Sequence, residues 1–214
     1  MKPVRLAILG LGTVGGGALK LLQENAAEIK RRTGREIQIT HVGTRRPRPD
    51  LQLEGIKQSS DLMEIVRQPD VDVVVEVMGG IHPAYEVIME AIKHGKQVVT
   101  ANKALLAEHG NELFKAAEDN AVQIAYEAAV AGGIPIIKVI REGLAANHIE
   151  WLAGIINGTG NFILTEMRDK GRAFADVLKE AQELGYAEAD PTFDVEGIDA
   201  AHKLTLLASI AFGI

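Results

Sequence analysis

Through the first part of the chain, apolar residues fall in two rhythms. Val4–Leu9, Ile37–Gly43, Val71–Val77, Gln97–Thr100 and Val122–Glu127 are short runs rich in β-branched residues, without clean alternation. Such runs read as strands buried on both faces of a parallel sheet. Between them the spacing becomes helical. Val14, Ala18, Leu21, Leu22 and Ile29 share one face of a helix from about Thr13 to Arg31. Ser60 or Asp61 caps a short helix, Pro83 starts one that runs to about His94, and Ala104–Asp119 forms another. Strand and helix alternate with no long structureless loop, which implies right-handed crossovers in a doubly wound α/β domain over residues 1–131.

The texture changes over residues 132–214. Ile134–Glu142 reads as a helix and Trp151–Ile156 as a strand. The polar turn Asn157-Gly158-Thr159-Gly160-Asn161 follows, then helices near Phe162–Lys170 and Ala173–Leu184, an acidic loop, and a last helix from about Ile198. This segment is expected to begin an α+β substrate domain. It ends on the apolar Ala211-Phe212-Gly213-Ile214, so further residues are expected beyond Ile214.

The glycines between the first strand and first helix carry the first chemical signal. Gly10, Gly12 and Gly15 form G-x-G-x-x-G in the context of a Rossmann-type dinucleotide site. Gly10 permits the tight turn, Gly12 the approach of the pyrophosphate, and Gly15 close helix–strand packing. Thr13 and Val14 supply N–H groups at the helix N-terminus. A carboxylate for a ribose 2′-hydroxyl is missing after the second strand. His41-Val42-Gly43-Thr44-Arg45-Arg46 stands there instead, and Arg45 and Arg46 suit a 2′-phosphate. NADP is the expected cofactor, with NAD possible; a merely solvated basic loop is the other reading.

Other residues of chemical interest sit at strand ends and on the last helix. Lys103 lies at the end of the fourth strand, beside the capping Asn102, where it is either a surface lysine or a partner for substrate or nicotinamide. The loop from Glu127 to Pro135 is either a hinge or, through Glu127 and carbonyl oxygens freed by Gly132-Gly133, a site for a hard monovalent cation. Asp199 and Lys203 share a helix face, so Lys203 could serve as a general acid, or the two could form an exposed ion pair. Glu188, Asp190, Asp194 and Glu196 add carboxylates suited to a substrate ammonium, after the helix-ending Gly185. His41, His82, His94, His148 and His202 are scattered and show no metal spacing.

Composition narrows the classes. A net charge of −6 weighs mildly against nucleic acid as the main partner. The absence of cysteine removes disulfides, thiolate metal sites and cysteine nucleophiles. No apolar run is long enough to cross a bilayer, and the first strand begins too early to leave room for a signal peptide. A cytoplasmic enzyme with a small-molecule substrate is the expectation.

Five blocks in order resemble homoserine dehydrogenase: Gly10–Gly15, Thr100–Lys103, Glu127–Pro135, Gly154–Thr159 with Asn161–Leu164, and Gly185–Lys203. The resemblance implies NAD(P)-dependent interconversion of L-aspartate 4-semialdehyde and L-homoserine, in threonine, methionine and isoleucine synthesis. It implies that Lys203 donates the proton, that Asp199 acts beside it, and that Lys103 lies near the nicotinamide. It also implies that Glu188, Asp194 and Gly185 meet the substrate. Glu127 with the main-chain oxygens of Val130, Gly132 and Ile134 would hold sodium, and the protein would be a homodimer or homotetramer. One departure is Gly160, where many members carry a second threonine. Aspartate-semialdehyde dehydrogenase is excluded by the missing cysteine. An amino-acid dehydrogenase of similar build, or a protein that senses NADP without turnover, are the remaining rivals.

Overall fold

A computed structural model describes residues 2–214, which fall into two compact units, residues 2–129 and Val130–Ile214. The first carries a six-stranded parallel sheet. Its strands are β1 (Val4–Leu9), β2 (Ile37–Gly43), β3 (Lys57–Ser59), β4 (Val73–Glu76), β5 (Gln97–Thr100) and β6 (Ile124–Ala125). They lie in the order β3-β2-β1-β4-β5-β6. The chain starts in the middle, winds to one edge, returns and winds to the other. The switch point therefore lies between β1 and β4, where open α/β sheets bind ligands at their carboxyl ends.

The register aligns the ends that matter. Leu9 pairs with Glu76, and Glu76 with Thr100, across three adjacent strands. Between β1 and β2 the register slips by one residue after Leu6, leaving Thr40 as a bulge. Its hydroxyl shares one proton between the carbonyls of Leu6 (3.2 Å) and Asp70 (3.1 Å). Ile8, Leu11, Leu19, Val42 and Leu51 form one core cluster. Burying such side chains on both sheet faces contributes about 1.5–3 kcal/mol each.

Helices α1 (Thr13–Glu24), α2 (Ala26–Thr33), α3 (Leu62–Arg67), α4 (Ala84–Lys93) and α5 (Lys103–Asp119) make the connections. Two differences from expectation have local causes. The single helix expected to Arg31 is broken at Asn25, whose backbone N–H and side-chain amide both donate to the Leu21 carbonyl and end the first helix. Strand β3 was not foreseen, because Lys57-Gln58-Ser59 is polar and short, as an edge strand often is. Asp61, rather than Ser60, caps α3 by accepting from the Glu64 N–H at 2.9 Å.

In the second unit, α6 (Ile136–Lys138) passes into a π-turn over Val139–Gly143, where the Leu144 N–H reaches the Val139 carbonyl at 2.8 Å. The helix expected over Ile134–Glu142 is thus shorter and wider. α7 (Gly158–Lys170) and α8 (Phe174–Glu183) pack through Ile163, Val177 and Ala181, and Ala187 from the following loop joins the cluster. α9 (Thr192–Val195), a short turn not foreseen in the acidic loop, precedes α10 (Ile198–Phe212). Trp151–Ile156 is not a strand: among the described residues it joins no ladder, and Trp151 and Ile155 are largely exposed. An extended run becomes a strand only when another offers it hydrogen bonds.

Candidate functional site

In the first unit the glycine loop closes tightly on itself. Gly10 sits at φ +95°, and a Cβ there would lie 2.9 Å from the Met78 Cα and the Val77 carbonyl. A Cβ on Gly15 would fall 1.8 Å from the Gly10 carbonyl oxygen. A Cβ on Gly12 would meet no protein atom, so that glycine leaves open space rather than relieving a contact. Gly12 caps α1 without a side-chain hydrogen bond, and the first helical turn, with Thr13 and Val14 exposed, holds no acidic residue. The N–H groups and helix dipole there favour an anion.

A cavity of about 590 Å³ opens beside this loop. Gly10, Gly12, Arg45, Arg46, Arg48, Val77, Met78 and Gly79 are among its walls. Arg45 and Arg46 are exposed on a turn that Thr44 ties, its hydroxyl donating to the Arg46 carbonyl at 2.8 Å. Arg48 went unremarked in the sequence. Asp50 fixes it with two hydrogen bonds (2.8 and 2.7 Å), and its third nitrogen reaches the Gly12 carbonyl at 3.5 Å. Hydrogen bonding to the Arg48 guanidinium pulls the Asp50 carboxyl down to about 2. The available signal was an arginine two residues before an aspartate in a basic loop.

Lys103 begins α5, half-buried, behind Asn102, whose side chain accepts from the Leu105 N–H at 3.2 Å. Lys103 does not line the cavity described above. Glu127 opens a 3₁₀ turn, Glu127–Ala129, at the end of the same unit. Val130 is buried, while Gly132 and Ile134 are exposed. The Ile134 carbonyl already accepts the Ile136 N–H at 2.8 Å. Among the described residues no group of three His, Cys, Asp or Glu side chains could hold a metal.

In the second unit the structure gathers four side chains. Lys203 Nζ donates to Asp199 Oδ2 at 2.6 Å and to the Ile156 carbonyl at 2.7 Å. Asn157 Nδ2 donates to Asp199 Oδ2 at 2.9 Å and to Asp194 Oδ1 at 2.7 Å. Asn157 Oδ1 meanwhile accepts the Gly160 N–H at 2.6 Å and caps α7. Side-chain exposures of 11% for Asp199 and 20% for Lys203 exclude the exposed i,i+4 pair as the description of this contact. An ammonium carries three N–H bonds. Two of Lys203's are taken, and the third has no protein acceptor among the described residues.

Glu188 is not drawn into this cluster. It is exposed, and its backbone carbonyl accepts from Gln182 Nε2 at 3.1 Å. Gly185, at φ +75°, ends α8, and the following Tyr186 carbonyl accepts the Thr159 hydroxyl at 2.6 Å. The loop holding Glu188 is thereby tied to the Asn157–Gly160 turn. A Cβ on Gly160 would lie 3.0 Å from Asn157 Oδ1, so glycine leaves room for this capping geometry. Asn157 is the organising residue that residue-by-residue reading missed. Its partners are 37 and 42 positions away, and the Asn-Gly-Thr-Gly-Asn turn was its only sequence signal.

The family model for the homoserine dehydrogenase NAD-binding domain matches residues 10–127, and the homoserine dehydrogenase model matches residues 135–214. The chain belongs to the homoserine dehydrogenase family. A homoserine dehydrogenase of Pseudomonas aeruginosa is 63% identical over all of this chain and 49% of its own length. The crystal structure of a homoserine dehydrogenase from Thiobacillus denitrificans superposes with a TM-score of 0.95 at 61% identity, covering 100% of this chain and 50% of that one. A hyperthermophilic archaeal homoserine dehydrogenase in complex with NADPH gives 0.86 at 29% identity, covering 100% and 71%. The chain spans about half the length of the curated relatives it matches. Among the described residues no helix is long and apolar enough to cross a membrane.

Proposed function

We propose that this chain supplies the nucleotide-binding and proton-donating parts of an enzyme that reduces L-aspartate 4-semialdehyde to L-homoserine with NADPH. The observation that carries the reading is the half-buried Lys203 ammonium, fixed by Asp199 and the Ile156 carbonyl with one N–H still open. An amine so oriented can give its proton to an alkoxide as that charge forms. A sensor that only binds nucleotide has no need of it.

When bound, the reduced nicotinamide supplies the hydride that the aldehyde carbon gains. The first unit fits such a cofactor: Gly12 leaves space at an uncapped helix N-terminus, and an arginine-rich turn lines the cavity. Arg45 and Arg46 select the 2′-phosphate and favour NADP, in keeping with the NADPH bound by the archaeal relative. In the second unit, Asp199 orients the Lys203 side chain. Asp194 and Glu188 take the substrate ammonium, with Gly185 shaping their loop, and Lys103 stabilises negative charge near the nicotinamide. The proton leaves Lys203 Nζ for the oxygen of the reduced aldehyde, and solvent restores it. Glu127 with the carbonyls of Val130, Gly132 and Ile134 is a donor set of hard oxygens, which suits sodium. Residues 1–131 are assigned to the nucleotide domain and 132–214 to the substrate domain of a cytoplasmic homo-oligomer.

The test is oxidation of NADPH and NADH by the full gene product with L-aspartate 4-semialdehyde, with Lys203→Ala beside it. Turnover lost in the variant with NADPH binding retained supports the reading. Loss of NADPH binding in that variant, or no turnover by the unaltered protein, sinks it. Arg45→Ala/Arg46→Ala lowers the NADPH-over-NADH preference, and an unchanged ratio removes those residues from cofactor selection.

A further inference from the structure

Glu76 is fully buried, yet it is a carboxylate at the end of the central strand β4. An ionisable group in such a place requires specific partners. Its Oε2 accepts the Thr100 hydroxyl at 2.7 Å, from the end of the neighbouring strand β5. Its Oε1 accepts the Met78 N–H at 2.8 Å, from its own following loop. The Thr100 oxygen in turn accepts the Asn102 N–H at 3.0 Å, and Asn102 Nδ2 donates to the Gly80 carbonyl at 2.5 Å. A closed chain of hydrogen bonds thus joins the loop after β4, residues 77–80, to the turn after β5, residues 100–103.

Both segments matter for the nucleotide end of the sheet. Val77, Met78 and Gly79 line the 590 Å³ cavity, and Val77 and Met78 are the atoms against which the Gly10 turn closes. The turn after β5 delivers Lys103. We infer that Glu76 is a positioning residue for the dinucleotide: its carboxylate pins the loop after β4 to the turn after β5 and so fixes the cavity wall beside the glycine loop. The inference rests on the dinucleotide reading of that cavity. Glu76 touches no ligand in this role, because it has no exposed surface. Buried networks of this kind act through the geometry they impose, and small misplacements weaken binding steeply.

The experiment uses the full gene product and four variants. Thr100→Val keeps volume and deletes the hydroxyl, while Thr100→Ser restores it. Asn102→Asp keeps the oxygen that caps α5 but removes the donor to Gly80. Glu76→Gln keeps one acceptor. Wild-type NADPH binding is titrated first by cofactor fluorescence. If it is absent, the dinucleotide reading fails and this inference with it. Given binding, Thr100→Val and Asn102→Asp raise the KM and Kd for NADPH about tenfold or more, leave the KM for L-aspartate 4-semialdehyde in place, and Thr100→Ser recovers the wild-type values. Glu76→Gln falls between, since its amide can donate to Thr100. NADPH affinity within about twofold of wild type in Thr100→Val and Asn102→Asp overturns the inference. So does a Thr100→Ser as impaired as Thr100→Val, or a rise of both KM values together. Should Thr100→Val not fold, Asn102→Asp decides, because its helix cap is intact.

Discussion

At the tip of β1 the groups proposed to work are backbone N–H groups that glycine has uncovered, whereas in the second unit they are side chains gathered from three segments of sequence. The first arrangement is local: Gly10, Gly12 and Gly15 lie within one turn, and each has a separate steric duty. The second depends on Asn157, which spans to Asp194 and Asp199 and thereby sets the acids around Lys203. A backbone site is lost by adding atoms; a side-chain site is lost by removing them. Substitutions should therefore fail in opposite ways in the two regions.

The largest effect is expected from removing atoms at the proposed proton donor. Lys203→Ala takes away the open N–H and leaves Asp199 with one partner fewer. Loss of a positioned general acid costs about 10²–10⁴-fold in kcat. NADPH affinity stays near wild type, since the nucleotide groups belong to the other unit. Single-turnover rates and NADPH titration on the same preparation measure both, and a variant that loses affinity instead breaks the separation of roles.

Adding a methyl to the glycine loop sharpens the contrast. At Gly15 the new carbon would overlap the Gly10 carbonyl, so Gly15→Ala should cost at least about 1–3 kcal/mol and lower the thermal midpoint. At Gly12 the methyl meets no protein atom and α1 keeps its start, so Gly12→Ala should leave the thermal midpoint alone yet weaken NADPH about tenfold or more. Equal melting losses in the two variants would show that Gly12 serves the fold rather than a ligand.

Asn157→Ala is expected to rank next. It removes the α7 cap, worth about 1 kcal/mol, and one hydrogen bond to the Asp199 carboxylate, which keeps its bond from Lys203. Turnover should fall while NADPH binding holds. Asn157→Asp retains the cap oxygen but sets a third carboxylate against those of Asp194 and Asp199, so like-charge repulsion should keep its stability below wild type and turnover should not recover. Recovery of turnover by the aspartate would show that only the cap matters.

Sequence legibility follows the same division. The glycine loop was readable because a tight turn and a close backbone approach each demand glycine at a fixed spacing. Asp199 and Lys203 were readable because four residues is one helical turn. Asn157, Glu76 and Arg48 were not picked out, for three different reasons. Asn157 acts over long sequence separations. Glu76 looks like the polar end of an apolar run until the register sets it beside Thr100. Arg48 differs from Arg45 and Arg46 only in having Asp50 to hold it. Trp151–Ile156 had the composition of a strand, but composition does not provide a neighbour to pair with.

The smallest effect lies at the opposite end of the sheet, where a pair that serves neither site provides the control. Arg5 grips Asp72 through two side-chain hydrogen bonds (3.0 and 2.7 Å), and the Arg5 backbone N–H adds a third (2.9 Å). Hydrogen bonding to that guanidinium brings the Asp72 carboxyl to about 2, against an ordinary 3.8. A carboxyl whose folded pKa is depressed stabilises the fold fully above its unfolded value, and that contribution is lost as pH falls through the folded one. The window is therefore about pH 4 down to pH 2. Both side chains are more than a third exposed, so solvent screening keeps the pair's contribution small. Asp72→Asn should lower the thermal midpoint slightly at pH 7 and flatten its decline between pH 4 and pH 2, with NADPH affinity and turnover at pH 7 unchanged. A loss of NADPH affinity in this variant would mean that strain travels along β1 to the glycine loop, and that the backbone-built site is less local than its geometry implies.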